Sequence, residues 1–261
     1  MLHSNTSSRG LPNGNSQSCA EAKGRGKGKA SAGKIPIRNI QTSLSNSVCG
    51  FLFIFYWCKF LTMAIQFARM RILTRSKGHC AVRSATYNAR GAARSERTGE
   101  KYSFTDRHDL EHHEILLPDG APEEMHDFET LWNKAQFAEK RINSQEAKEL
   151  LLALPDNPEI TDEMRLEMTR GFVQDNFVKH GVGAQIDIHG PHEGLKNEDD
   201  TLQDASVNYH AHVLVTTRRI NAQGMAEKAR DLNGLFAKGY VMDGDKWGEV
   251  WRDYQNDYFM K

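Results

Sequence analysis

The sequence predicts an α+β fold in which helices pack over one face of a twisted antiparallel β-sheet. Two observations support this prediction. From residue 63 onward, short segments with strand-like alternation are interleaved with longer segments that carry apolar residues at helical spacing. The last two strand-like segments are joined by a polar loop, which favours an antiparallel pair. About 200 residues are enough for one domain with its own core.

The first predicted strand spans residues 63 to 68. A helix is expected from Ala81, because small residues follow there at helical spacing, and Ser76 or Gly78 is available to start it. This helix carries Tyr87.

Two longer helices and one strand are predicted in the middle of the chain. The first helix starts at Phe128 and continues through residue 143, with an apolar stripe for the core. A weakly alternating strand follows from Lys148 to Leu154. The second helix spans residues 162 to 180, where Thr161 is a capping residue and Gly181 a stop. The apolar stripe of the first helix consists of Leu131, Trp132, Ala135 and Ala138.

Two histidines alternate along a predicted strand that runs from Asn208 to Ile220. Side chains alternate between the two faces of a strand, so His210 and His212 lie on the same face. Two neighbouring imidazoles indicate a metal site if a third ligand lies nearby. The other interpretation is a surface strand with histidine at alternate positions, because short His-x-His matches also occur by chance.

A third histidine is predicted to join this pair. An alternating segment that begins at Val182 ends at His189, before a Gly-Pro break. Antiparallel pairing with the later strand brings His189 back towards the His-x-His pair. His192 lies beyond the break, in an acidic loop, and is expected to be a solvated loop histidine.

Positive charge is concentrated around Tyr87, although the whole chain is neutral with 34 basic and 34 acidic residues. Ten Lys and Arg residues lie between Met63 and Leu110, against four Asp and Glu residues. Such a local excess suits contact with a phosphate backbone. The other interpretation of Tyr87 is a half-buried core aromatic. The basic residues predicted to bind DNA are Arg75, Lys77, Arg83 and Arg90.

Five short motifs follow one another along the chain. They are Met63-Ala-Ile-Gln-Phe-Ala-Arg69, Arg75-Ser-x-Gly-x-x-Ala-Val-x-x-Ala-x-Tyr-Asn-Ala-Arg90, Ala147-Lys-Glu-Leu-Leu-Leu-Ala-Leu-Pro155, Ile188-His-Gly-Pro191 and Asn208-Tyr-His-Ala-His-x-Leu-x-Thr-Thr-Arg218. In this order they resemble the MobA/MobL family of plasmid relaxases, within the histidine-hydrophobe-histidine endonucleases. The resemblance covers residues 63 to 261, and residues 246 to 261 match only loosely.

The resemblance implies a relaxase-like fold with a ferredoxin-like core, and site- and strand-specific nicking of DNA at a plasmid origin of transfer. Tyr87 is implied as the nucleophile, which leaves a 5′-phosphotyrosine and a free 3′ hydroxyl. An unperturbed phenol is a weak nucleophile at neutral pH. A divalent cation, Mg²⁺ or Mn²⁺, held by His189, His210 and His212 is therefore implied as cofactor.

Glu149 is a further candidate, because the family's corresponding strand carries acidic residues near the active site. It is expected to orient a metal-binding histidine or to assist proton transfer. Many members have a second acid two residues later, where this chain has Leu151. The alternative for Glu149 is an exposed strand glutamate without a role in the site.

The resemblance also implies the partners. These are single-stranded DNA at the origin of transfer, relaxosome accessory proteins and a secretion-system coupling protein, in the cytoplasm and without membrane association. The four cysteines show no zinc-ligand spacing and no disulfide framework, consistent with a reducing compartment.

Two other functions remain open from the sequence. One is a hydrolase in which water on the three-histidine metal replaces the tyrosine. The other is a non-catalytic DNA-binding module, which the early arginines support. A truncated form is also open, because relaxases of this family normally continue beyond the last helix of this chain.

Residues 1 to 62 differ from the rest in composition. Up to residue 47 they are rich in Ser, Asn, Gly and Lys without periodicity, which is typical of a disordered segment. The apolar segment from Val48 to Leu61 is shorter than the roughly 20 residues of a spanning helix. It is either a membrane-associating segment or the product of an upstream start assignment, and we favour the second, with translation starting at Met63.

Overall fold

The computed structural model describes residues 64–192, 195–196, 202–203, 206–232 and 244–261. The expectations for residues 1 to 62, for a start at Met63 and for most of the acidic loop after His192 lie outside the described residues.

Strands and helices alternate along the described chain. The N-terminal elements are β1 (Ala68–Thr74), α1 (Ala81–Asn88), β2 (Ala92–Arg94), β3 (Lys101–Ser103), β4 (Leu110–Leu116) and α2 (Phe128–Ala138). The central elements are β5 (Gln145–Ala153), α3 (Asp162–Asn176) and β6 (Val182–His189). The last elements are β7 (Leu195–Lys196), β8 (Leu202–Gln203), β9 (His210–Asn221), β10 (Gly224–Lys228) and α4 (Gly244–Phe259).

One antiparallel sheet organises these elements. Its strands follow the order β1-β5-β9-β6-β4, and β10 pairs with β9. Every pairing in it is antiparallel. The predicted α+β class with an antiparallel sheet and packed helices is confirmed, and so is the pairing of β6 with β9.

Helices cover both faces of the sheet, so the expectation of helices over one face was wrong. On one face, α3 and α4 bury Phe172 and Trp251 against the sheet in a large apolar cluster. On the other face, α1 and α2 bury Val82 and Trp132 in a second cluster. All eight residues of β6 are buried, because the strand is central and covered on both sides.

The first strand and the start of α1 differ from their predictions. The strand begins at Ala68 rather than at residue 63, since β1 forms where it can pair with β5. Ser76 lies in a short 3-10 helix, which Gly78 ends with a φ of 75°. Cys80 is the N-cap of α1 and makes no side-chain capping bond. Tertiary packing therefore sets both boundaries.

The middle of the chain follows its prediction more closely. Helix α2 ends at Ala138 rather than at residue 143, and β5 begins three residues before the predicted start. Thr161 caps α3 by accepting a hydrogen bond from the Met164 amide. The helix ends at Asn176, earlier than expected, and a short 3-10 helix leads to Gly181, whose φ is 86°. Only a glycine adopts that left-handed conformation without strain.

Candidate active site and metal centre

Histidines and carboxylates meet on the sheet face that lies under α1. In the pairing of β6 with β9, His189 lies opposite His210 and Asp187 lies opposite His212. In the pairing of β4 with β6, His113 lies opposite Asp187. Partners opposite each other in an antiparallel pair share a face, so these five polar side chains form two adjacent rows.

Three histidines form one cluster. The ring centroids of His189 and His212 are 4.8 Å apart, and those of His210 lie 5.2 Å from each of the other two. One nitrogen from each ring lies within 4.8 Å of the others. The structure thus brings together the three residues that the sequence predicts as metal ligands.

Hydrogen bonds define which nitrogen of each ring carries the lone pair that could bind a cation, and in His189 that lone pair accepts from Arg90. His210 Nδ1 donates to the Asn208 carbonyl at 3.1 Å, and His212 Nδ1 faces Glu149 Oε1 at 3.4 Å. Their Nε2 atoms are then the acceptors. His189 Nε2 donates to the Asn88 carbonyl at 2.6 Å, so its Nδ1 carries the lone pair, which faces Arg90 at 3.1 Å. A metal-binding imidazole typically donates its other N–H in this way.

Two of the three imidazoles are neutral at neutral pH. Burial, together with the charges of His212 and Arg90, lowers the pKa of His189 to about 2. Burial is also the main reason why the pKa of His210 falls to about 4. Neutral imidazoles are the form that binds metals. The donor set therefore fits a divalent cation.

Glu149 lies beside the histidine cluster, and both of its carboxylate oxygens accept hydrogen bonds. Its Oε1 accepts from Asn88 at 3.1 Å and faces His212, while its Oε2 accepts from Arg71 Nε at 2.9 Å. Burial raises the pKa of Glu149, but the bonds and charges of His212, Arg71 and Asn88 outweigh burial and lower it to about 2. An ionised carboxylate in this position holds the His212 ring in one orientation.

Tyr87 lies on the last turn of α1, directly above the cluster. Its ring centroid is 6.4 Å from that of His212 and 5.2 Å from that of Phe104. The guanidinium carbons of Arg90 and Arg107 lie 4.4 Å and 5.0 Å from the ring centroid. Arg107 also donates to the Tyr87 hydroxyl at 3.4 Å. Two cations thus flank the phenol.

Arg90 is the one non-glycine residue with a positive φ, 49°, in the part of the chain that the structure describes. Such a conformation costs roughly 1–2 kcal/mol and persists only where the surroundings fix it. Both carboxylate oxygens of Asp109 accept from Arg90, at 2.8 Å and 2.6 Å. Burial raises the pKa of Asp109, but the bond and charge of Arg90 dominate and lower it to about 2.

Two adjoining cavities meet at Tyr87 and His212. The first, of about 430 Å³, is also lined by Arg69, Arg71 and Arg83. The second, of about 550 Å³, has Ile65, Phe67, Tyr209 and His210 in its wall. Both cavities are lined by Leu151 as well. The candidate site is therefore a groove with one basic half and one largely apolar half.

The four arginine and lysine residues predicted to bind DNA fall into two groups. Arg83 and Lys77 are exposed, and Arg83 lines the basic half of the groove. Arg75 pairs with Glu146 at 2.8 Å and donates to two carbonyls of the chain, and Arg90 is held by Asp109. The structure thus places two of the predicted residues on the surface and two in internal ion pairs.

His192 is not the solvated loop histidine that the sequence predicts. Its side chain is 19% exposed, and its Nε2 lies 3.3 Å from Asp109 Oδ2. A backbone bridge to Ser206 holds it beside the site. Among the described residues, the cluster that can hold a metal ion contains His189 and not His192.

Sequence reasoning missed the residues that hold the site together. Asp109, Arg107 and Arg71 entered only as charges in a local balance, although they contact Arg90, Tyr87 and Glu149. A signal was present for Asp187, because alternation places it on the face of His189 two positions later. No sequence signal indicated the long-range pairing of Asp109 with Arg90.

Fold and site define an α+β protein with a tyrosine beside a candidate three-histidine metal centre. The model of the MobA/MobL family matches residues 79–259, which is more than half of the chain. The chain therefore belongs to the MobA/MobL family.

Several curated proteins are similar to this chain. Mobilization protein MobL of Acidithiobacillus ferridurans is 26% identical over 207 residues, which are 72% of this chain and 53% of that protein. A probable conjugal transfer protein TraA of Sinorhizobium fredii is 28% identical over 75% of this chain and 17% of its own length. A probable mobilization protein MobA of Bifidobacterium longum is 29% identical over 61% of this chain and 26% of its own length. The chain spans about half or less of the length of these relatives.

One solved structure shares the fold. It is described as the molecular basis of vancomycin resistance transfer in Staphylococcus aureus, and it matches with a TM-score of 0.57 and 24% sequence identity. The match covers 74% of this chain and 91% of the other.

No helix in the described part of the chain combines the length and the apolar character that crossing a membrane requires.

Proposed function

We propose that this chain nicks one strand of DNA at a plasmid origin of transfer by transesterification, with Tyr87 as the nucleophile. The observation that carries the proposal is the meeting of Tyr87 and the cluster of His189, His210 and His212 in one groove, with Tyr87 and His212 ring centroids 6.4 Å apart. Membership of the MobA/MobL family and the names of the mobilization and conjugal transfer relatives support it.

In the proposed reaction, the Tyr87 hydroxyl oxygen attacks phosphorus and its proton passes to solvent. The bond from phosphorus to the 3′ oxygen breaks, and that oxygen takes up a proton to become a 3′ hydroxyl. The phosphate remains bonded to the 5′ oxygen of the cleaved strand and is now also bonded to Tyr87. This phosphotyrosine bond keeps the bond energy, so the reverse attack by a 3′ hydroxyl reseals or joins strands without ATP. The three histidines would hold a divalent cation, Mg²⁺ or Mn²⁺, which would supply positive charge to offset the negative charge that develops on the phosphate.

The chain's own residues contribute charge and orientation. Arg107 and Arg90 flank Tyr87, so both stabilise negative charge on its oxygen or on the adjacent phosphate. Glu149 accepts from Asn88 and faces His212, and thereby orients the cluster relative to α1. Glu149 is 6% exposed, which argues against the alternative of an exposed strand glutamate.

The groove suits a single strand of DNA. Arg69, Arg71 and Arg83 offer positive charge to the phosphates in one half. Phe67 and Tyr209 in the other half offer apolar and aromatic surface to bases. Arg83 and Lys77 contact the DNA directly, and Arg75 contributes by holding the local structure. Arg90 is held by Asp109 and acts from its position beside Tyr87.

The same proposal assigns the partners and the location. The substrate is single-stranded DNA at the origin of transfer, and relaxosome accessory proteins and a secretion-system coupling protein act with the chain in the cytoplasm. The relatives named as mobilization or conjugal transfer proteins support these assignments.

The decisive experiment is adduct formation on labelled single-stranded origin oligonucleotides, with and without Mn²⁺. The protein is expected to form a denaturation-resistant adduct. Tyr87→Phe removes only the attacking oxygen, so the adduct is lost while oligonucleotide binding persists. Tyr102→Phe is the matched control, because Tyr102 lies on β3 with its hydroxyl bonded to Glu100, and it is expected to keep the adduct.

Other outcomes identify the other functions. An adduct in Tyr87→Phe contradicts the assignment of the nucleophile. Metal-dependent cleavage that leaves free ends and no adduct indicates a hydrolase that uses water. Binding without any cleavage indicates a DNA-binding module.

A further inference from the structure

A second cleft lies at the opposite end of the sheet from Tyr87. It has a volume of about 950 Å³ and is formed where α2 leads into β5, and where β9 meets β10. Its wall includes Gln145 at the start of β5 and Thr217 on β9. His212 precedes Thr217 by five residues on β9, which corresponds to about 17 Å at about 3.4 Å per strand residue.

The cleft is basic. Five Lys or Arg side chains and two Glu side chains line it. Glu139, whose side chain is 2% exposed, binds Arg218 at 2.9 Å and Lys228 at 2.7 Å and so fixes two of the cations in the wall. Lys140, Arg141 and Arg230 are exposed.

An exposed apolar side chain stands beside these cations. Ile142 is 74% exposed and follows Lys140 and Arg141 in the turn between α2 and β5. Proteins that bend duplex DNA combine basic side chains with an apolar side chain inserted between bases, and an exposed isoleucine beside two cations could contact a base in a similar way.

We propose that this cleft binds the single-stranded DNA that flanks the scissile phosphate, with Lys140 and Arg141 on phosphates and Ile142 against a base. The inference rests on the proposed function for the identity of the ligand as DNA. A spacing of about 17 Å corresponds to about five nucleotides at the 3.4 Å rise of a strand stacked as in duplex DNA, and to fewer nucleotides in an extended single strand. One strand therefore reaches from the groove at Tyr87 to the cleft.

The basic surface between the two places supports this path. Arg69 and Arg71 line the groove and belong to β1, which is an edge strand of the sheet. The short 3-10 helix that follows β1 contains the exposed Lys77, and its Arg75 amide donates to the Ser144 carbonyl in the wall of the cleft. Positive charge thus continues along one edge of the sheet from the groove to the cleft.

The test is equilibrium binding of a fluorescent, mixed-sequence single-stranded oligonucleotide several times longer than this spacing, over a series of salt concentrations. Divalent cations are left out, so the result does not depend on nicking. Lys140→Gln/Arg141→Gln is expected to reduce the slope of log affinity against log salt by about 0.7 for each lost phosphate contact. Ile142→Ser is expected to weaken binding on the order of tenfold with no change of slope, because an apolar contact releases no counterions.

The matched control is Lys179→Gln/Lys261→Gln, which removes the same charge from exposed positions outside the cleft. It is expected to keep the wild-type slope. Equal slopes for the cleft variant and the control overturn the inference, and so does an unchanged affinity of Ile142→Ser. Thermal unfolding of each variant checks the fold, which these exposed changes are expected to leave intact.

Different results contradict the proposed nicking and the proposed DNA-binding cleft. If the cleft variant shows the reduced salt slope while the wild type forms no adduct with origin DNA, the proposed nicking fails and the cleft proposal stands. If the adduct forms and the cleft variant binds like the control, the cleft alone is wrong.

Discussion

The two faces of the central sheet carry different kinds of side chain, and strand β9 contributes side chains to both faces. Ala211, Val213 and Val215 point to the face that packs on α3 and α4, and all three are completely buried. His210 and His212 alternate with them and point to the face under α1. One strand therefore supplies a large apolar core on one side and a candidate metal centre on the other.

The difference lies in how each face is held. The apolar face depends on burial, which is non-directional and roughly proportional to the area removed from water. The polar face depends on individual partners, since Glu149 contacts His212, Asn88 and Arg71 and Asp109 contacts Arg90. Removing one partner there leaves a buried polar group without its bond, and this costs about 1–3 kcal/mol. The first face contributes to stability, whereas the second combines the apolar cluster under α1 and α2 with the candidate metal centre.

The largest expected change in stability is on the apolar face. Trp251 is fully buried, its ring centroid is 5.0 Å from that of Phe172, and its indole N–H donates to the Ala153 carbonyl at 2.7 Å. Trp251→Ala is expected to lower the free energy of unfolding by about 3–5 kcal/mol, measured by chemical denaturation. Met260→Ala is the control, because Met260 is 65% exposed next to the same helix. A loss below about 1 kcal/mol for Trp251→Ala contradicts the view that burial on this face is a main source of the protein's stability.

The next effect separates function from stability on the polar face. His189→Ala, His210→Ala and His212→Ala are each expected to lower calorimetric Mn²⁺ affinity by more than the roughly 100-fold that loss of an outer partner costs. They are also expected to abolish the proposed metal-dependent nicking, with a smaller loss of stability than Trp251→Ala. The exposed His126 provides a control, as His126→Ala leaves affinity unchanged.

Substitution of His192 tests whether His189 or His192 is the third metal ligand. His192→Ala is expected to retain most of the Mn²⁺ affinity, because His192 faces Asp109 and lies outside the cluster. If His192→Ala loses affinity and His189→Ala keeps it, the third ligand lies beyond the Gly-Pro break.

A smaller effect is expected from the neighbour of the cluster. Glu149→Gln keeps the shape of the side chain and removes its charge, so His212 is held less firmly. Mn²⁺ affinity is expected to fall about 10- to 100-fold, the range for outer partners of metal ligands. Glu163→Gln changes an exposed glutamate at the start of α3 and is expected to have no effect on Mn²⁺ affinity. An unchanged affinity in Glu149→Gln shows that Glu149 does not orient the ligand.

The smallest effect is a pH dependence of the metal-free protein. The pKa of Glu149 falls from 4.5 to about 2 on folding, through His212, Arg71 and Asn88 against the opposing effect of burial. The unfolded chain then binds more protons in acid, so this stabilisation is complete above pH 4.5 and is lost as the pH falls towards 2. Denaturation at a series of pH values is expected to show a shallower acid loss for Glu149→Gln than for the wild type. Equal acid slopes contradict the ionised, paired state of Glu149.

Much of the fold and the centre of the site was predictable from sequence, because both depend on local patterns. Alternation placed His210 and His212 on one face, and the Gly-Pro break ended β6 at His189. The boundary of β1 was not predictable, since it is fixed by pairing with β5, whose partner residues lie about 70 to 85 positions later. The second helical layer was also missed, because a chain's own periodicity does not say which face of a sheet it covers.

The sequence by itself determined the strand that presents His210 and His212, the helix that carries Tyr87, and the capping of α3 by Thr161. These depend on side-chain periodicity and on hydrogen bonds within a few residues. Only the tertiary structure decided which charges face the groove. Arg90 turns inward because Asp109 lies beside it, Arg75 because Glu146 does, and Arg83 stays exposed on α1. The physical reason is that a buried charge needs a partner, and that partner is chosen by contacts between residues far apart in the chain.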